Sequence, residues 1–249
     1  MLLVNLKKKP SIIPSLIDKT VEGLPFQTID SIVGAPNYKK IAKVHLKLNL
    51  NAASVHSNLI NGTLGLLYQN LSPAVYSTLS ATTFVVPVNP GAAPVIPTGS
   101  TAPQKFDLRY AFKAAEKIFT EYDCTDKALR QQLLSYVDGI FFHSLRHKII
   151  GYGNTATCEM LNHIYFTYAN IYPSNLQENY ARLRTPYGAN RPIENLTDQI
   201  ENAVEYASAG QTPYTPKQVG AVAYQLVLQT GLFFDNCKIW HRKDLADKT

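Results

Sequence analysis

The residues that come closest to chemistry are two pairs, His143 with His147 four positions on, and Cys158 with His163 five positions on. Two imidazoles four apart on a helix share a face and can hold one metal ion when a third ligand approaches. A metalloprotease helix needs glutamate directly after the first histidine, and Ser144 stands there. The pair therefore reads as two partly exposed histidines beside Arg146 and Lys148. A separation of five puts Cys158 and His163 on different faces of a helix, and Cys158 falls on an apolar stripe where burial makes a thiol inert. Cys124, Cys158 and Cys237 are odd in number and widely spaced, which excludes a CxxC unit or a disulfide framework and fits a reducing compartment. The sequence carries no GxSxG elbow, Walker loop or GxGxxG turn. The expectation is a protein without catalytic residues, metal, cofactor or small-molecule substrate.

Charge points to a different kind of partner. Lys and Arg number 24 against 18 Asp and Glu, a formal +6. The first 50 residues carry +5 of that, so the body is nearly neutral. Three clusters could meet phosphate, each contact adding salt-sensitive affinity: Lys7, Lys8 and Lys9; Lys39, Lys40 and Lys43; and Arg146 with Lys148. No zinc-finger spacing, RNP motif or helix-turn-helix accompanies them, so nonspecific RNA contact is the most they predict.

The elements that would position these residues are helices. Pro10, Pro14, Pro25 and Pro36 keep 1–36 from helix and predict a flexible basic arm. Asn37 caps an expected helix from Tyr38, and Ser72-Pro73 opens a short one. The run TTFVVPVNPGAAPVIPTGSTAP predicts an extended connector and a domain boundary near Ser100, so that 37–100 is a small helical region and 101–249 the main domain. Past Thr101 the row Phe106, Tyr110, Ala114, Ile118 and Tyr122 predicts one helix with that row buried. Asp123 to Asp126 reads as a polar interruption before a second helix carrying Leu129, Leu133, Tyr136, Ile140 and Phe141. Further helices are expected from Thr155, from a capping box at Ser174 to Gln177, around Ile193 to Ala207, and from Thr215-Pro216 with Gln218 as the box partner. Residues from Phe233 onward show neither cap nor breaker, which predicts a helical domain cut short at its end. The fold class is all-α. MLLVNLKKKP reverses the order of a signal peptide and no apolar run suits a membrane span, so a soluble cytoplasmic protein is expected.

The 15 tyrosines, crowded at Tyr165, Tyr168, Tyr172 and Tyr180, supply rings that bury while their hydroxyls stay wet. With Phe141, Phe142, Ile149 and Ile150 they predict a surface for association, represented by Phe142, Ile150, Tyr165 and Tyr172.

The segment CEMLNHIYFTYANIYPSNLQENYARLRTPYGANRPIENLTDQIENAVEYASAG resembles the central part of the Gag polypeptide of copia-type LTR retrotransposons. Leu161, Ile164 and Tyr168 take the places of a helix ending in tyrosine, Leu183 precedes a turn, and Pro192-Ile193-Glu194 opens the next helix toward Gln199-Ile200. LSPAVYSTLSATTFVVPVNPG and TPYTPKQVGAVAYQLVLQTGLFF extend the likeness to algal and diatom elements over 24–249. The resemblance implies a multi-helix, capsid-like protein that assembles with copies of itself around the element's RNA and performs no catalysis. The family's CCHC knuckle and its protease, integrase and polymerase motifs are not in this sequence. A monomeric helical adaptor that binds another protein through an apolar groove is the alternative.

Overall fold

The computed structural model describes residues 15–28, 30–57 and 64–243. Its described residues hold nine α-helices, short 3-10 segments and no β-strand, so the chain is all-α. The helices are α1 Leu16–Gly23, α2 Tyr38–Ser54, α3 Pro73–Leu79, α4 Ala102–Tyr136, α5 Thr157–Tyr168, α6 Pro173–Leu183, α7 Glu194–Ala209, α8 Pro216–Gln229 and α9 Phe234–Arg242. They fall into two compact units, Met1–Ala169 and Asn170–Thr249. This division does not fall at the boundary expected near Ser100: α2, from the expected small region, buries Ile41, Val44, Leu48 and Ala52 in one core with Leu129, Leu133, Met160, Leu161 and Ile164 from α4 and α5. The connector leaves that unit and returns to it.

In the first unit the arm also departs from expectation. Ser15 and Asp18 close a capping box that starts α1, and α1 packs on α4. The strand-like stretch after α1 is stitched down by Asn51, whose Nδ2 donates to the Phe26 carbonyl and the Gln132 Oε1 while its Oδ1 accepts from the Phe26 N–H. Lys7, Lys8 and Lys9 lie outside the described residues. A second apolar cluster of Leu66, Leu71, Tyr76 and Phe84 closes over Tyr122, with Phe84 stacked on Tyr68 at 4.4 Å. After Phe84 the connector is extended and its Val85, Val88 and Val95 are exposed.

The two helices expected between Thr101 and Phe141 are one helix of 35 residues, about 50 Å long, opened by a Thr101–Gln104 capping box. The row Phe106, Tyr110, Ala114, Ile118, Tyr122 is not its buried face. Steps of four residues advance about 40° beyond a full turn, so the row winds around the helix, and Phe106 and Tyr110 are each 66% exposed. The core-facing seam instead alternates steps of three and four: Leu108, Ala111, Ala115, Ile118, Tyr122, then Thr125, Leu129, Gln132 and Tyr136. Thr125, Leu129, Gln132 and Tyr136 are buried, whereas Leu108, Ala111 and Ala115 are exposed. Helix α4 ends at Tyr136, and the tighter 3-10 segment Gly139–Leu145 turns Phe142 inward and leaves Ile140 69% exposed.

In the second unit α6 to α9 follow one another in sequential contact around Leu183, Leu196, Ala203, Val222 and Leu226. Helix α6 starts two residues before the expected box would place it: Tyr172, not Ser174, is its cap, Pro173 takes its first position and the Asn175 side chain accepts from the Tyr172 N–H at 3.1 Å. The Thr215–Gln218 box of α8 is as expected. Gln199 of α7 donates to the Leu183 and Thr185 carbonyls and so caps the end of α6.

Candidate functional site

The histidine pair does not form. His143 sits in the 3-10 segment and His147 at the base of a tight turn, both exposed. Among the described residues no three His, Cys, Asp or Glu side chains gather as metal ligands. The Cys158 thiol is pushed up by burial, and the Asn162 hydrogen bond opposes this only in part, so it stays protonated. Sequence reasoning missed a closer approach to catalytic geometry: Ser144 Oγ lies 3.2 Å from His163 Nε2. The same nitrogen is 3.1 Å from the Phe141 carbonyl, which can only accept. Nε2 therefore carries the proton, and it cannot take one from Ser144.

The surfaces are more informative. Lys39 and Lys43 are exposed on α2, but the Lys40 Nζ donates to the Val33 and Ala35 carbonyls at 2.7 and 3.3 Å and fastens the loop before the helix. Arg146 precedes, and Lys148 lies within, a five-residue turn closed by reciprocal hydrogen bonds between His147 and Gly151. His147 Nδ1 accepts from the Ile149 and Ile150 N–H groups, fixing a tip on which Ile149 is 88% and Ile150 47% exposed. Of the expected association residues, Phe142 is overturned: it is wholly buried and has no surface to offer a neighbour. Tyr165 is half-buried against Tyr38 and His45, and Tyr172 is exposed at the start of α6. No protein-family model, curated protein or solved structure matches the chain.

The first half of α4 stands out in the geometry. Nearly every residue from Ala102 to Lys117 is exposed. Its open seam of Leu108, Ala111 and Ala115, flanked by half-buried Phe112, Ile118 and Phe119, continues the line that the second half buries. Away from that seam, Lys105, Arg109, Lys113 and Lys117 recur every four residues, beside Phe106 and Tyr110. The four-residue recurrence of cations is visible in the sequence; what hid it was the assignment of Phe106 and Tyr110 to a core. A shallow hollow where 97–100 meets Gln104, Asp107, Leu108 and Ala111 holds a single ionisable group, Asp107. One lone carboxylate has no partner for acid–base work.

Proposed function

We propose that the chain is a structural protein that associates with copies of itself, as the Gag polypeptide of a copia-like LTR retrotransposon does in forming a capsid-like particle around RNA. The observation that carries this reading is the open half of the α4 seam. A helix face that buries Leu129 and Tyr136 in its second half displays Leu108, Ala111 and Ala115 in its first, and exposed apolar surface in a continuous line marks a place for a partner. A second copy suits it, because the same three- and four-residue spacing on two helices lets side chains interdigitate.

Multi-angle light scattering of the full chain tests the reading. The wild type is expected to show a mass that grows with concentration, and Leu108→Asp with Ala115→Asp to remain a monomer with an unchanged circular-dichroism spectrum. A wild type that stays strictly monomeric at high concentration with RNA present would sink it and leave the adaptor reading, in which the Ile149 and Ile150 tip meets a different protein.

A further inference from the structure

We propose that the outward face of the first half of α4 is a binding site for single-stranded nucleic acid, in which Lys105, Arg109 and Lys113 hold phosphates and Phe106 and Tyr110 stack on bases. The three cations climb the helix in steps of about 6 Å, the scale of one extended nucleotide. None of them has an ion-pair partner among the described residues. Asp107 lies about 160° round the helix from Lys105, but three residues before Tyr110, so it borders the ring side of the face and not the cations. The stripe ends where Glu116 enters it and Lys117 pairs with Glu121 at 3.9 Å. Arg109 in the middle adds a planar fork suited to phosphate.

Between these cations stand two aromatic rings that the fold does not use. Phe106 and Tyr110 are each 66% exposed, their centroids 5.9 Å apart and their planes within 17° of parallel. Near-parallel, open rings one turn apart make a platform for successive bases, and stacking of this kind tolerates any sequence. A duplex hides its base faces, so the rings favour a single strand. No large aliphatic side chain shares this face, since Leu108 lies on the seam, so it has little to insert into a membrane or a protein groove. The site does not depend on self-association, and a second copy seated on the seam leaves it open.

Fluorescence anisotropy of the full chain tests the site, with a labelled single-stranded RNA of about 12 nucleotides and its duplex, from about 50 to 200 mM salt. The single strand is expected to bind more tightly. Phe106→Ala with Tyr110→Ala should weaken it by about tenfold or more at an unchanged salt slope. Lys105→Gln, Arg109→Gln and Lys113→Gln together should lower the slope of log affinity against log salt by about 2. These side chains are exposed, so thermal melts should match the wild type, and Lys217→Gln on α8, an exposed lysine outside every basic cluster, should leave binding as it was. The proposal is overturned if both α4 variants bind like the wild type, if the α8 variant loses as much binding as they do, or if the chain ignores RNA and sediments with anionic vesicles. Light scattering on the same α4 variants keeps this result apart from that of assembly.

Discussion

His45 shows how one residue sets a condition on the whole first unit. Its half-buried ring sits on α2 against α5 and the turn after Leu67–Gln69, with Nε2 3.1 Å from the Asn70 carbonyl and Nδ1 3.3 Å from the Tyr165 hydroxyl. The carbonyl must accept, so Nε2 donates to it, and in the neutral ring Nδ1 accepts a hydrogen bond from the Tyr165 hydroxyl. Burial holds its pKa below the ordinary 6.5, against a smaller opposite pull from Asn70. The unfolded chain binds this proton at a higher pH than the folded chain, so stability is whole above about pH 6.5 and drains away as pH falls below it. Urea midpoints at pH 7.5, 6.5 and 5.5 should decline, and His45→Gln should flatten the decline below pH 6.5; an equal slope in both proteins would refute the assignment. The sequence shows a histidine on the helix from Tyr38 but not its tautomer, because Asn70 and Tyr165 come from 25 and 120 residues away. Gly65 is similar. Its φ is +51°, and a Cβ there would meet the Ala52, Ala53 and Val55 carbonyl oxygens at 2.5 to 2.7 Å, a close approach that no local signal announces.

At the scale of elements, starts were legible and lengths were not. Asn37, Ser72 and Thr215, read as caps, do cap their helices, because a cap is a local bond between a side chain and an N–H two or three residues on. The interior of α4 misled because Asp123 to Asp126 resembles a break. Each polar group there has a use inside the helix or across it: Thr125 Oγ1 donates to the Glu121 carbonyl, Lys127 pairs with Asp123, and Asp126 reaches the start of α5. Asp126 accepts from the Thr157 N–H at 3.0 Å and from Arg130 at 3.1 Å, so one carboxylate caps α5 and neutralises a guanidinium that is 8% exposed. Asp126→Ala is therefore expected to cost about 3 kcal/mol in urea denaturation, because it strands a buried charge. Asp123→Ala, whose partner Lys127 is well solvated, should stay within about 0.5 kcal/mol. Equal effects at the two positions would mean that the α4–α5 junction is not held by this carboxylate. The candidate site followed the same rule: a regular spacing of Lys105, Arg109 and Lys113 could be read, but whether Phe106 and Tyr110 face core or solvent depends on where the other helices lie.

For the molecule as a whole, the proline-rich connector was the most misleading feature. Prolines specify an extended path, and an extended path can lead to another domain or back to the same one; what decides is the anchors, Phe84 before it and Tyr122 beyond it, which meet in one cluster. The division falls instead after Ala169, where the sequence offers only another turn between helices. Each unit has its own core, built around Leu129, Phe142 and Leu161 in one and Leu183, Leu196 and Leu226 in the other. Separate cores can open separately, since local opening follows the contacts that must break. Leu226 is 2% exposed, and Leu226→Ala removes buried volume worth about 2 to 5 kcal/mol. Hydrogen exchange on the full chain should then show faster exchange in α6, α7 and α8, while the amides of α2, α5 and the second half of α4 keep their protection. Loss of protection in both sets by the same amount would mean that the chain unfolds in one step, and that two cores do not make two cooperative units.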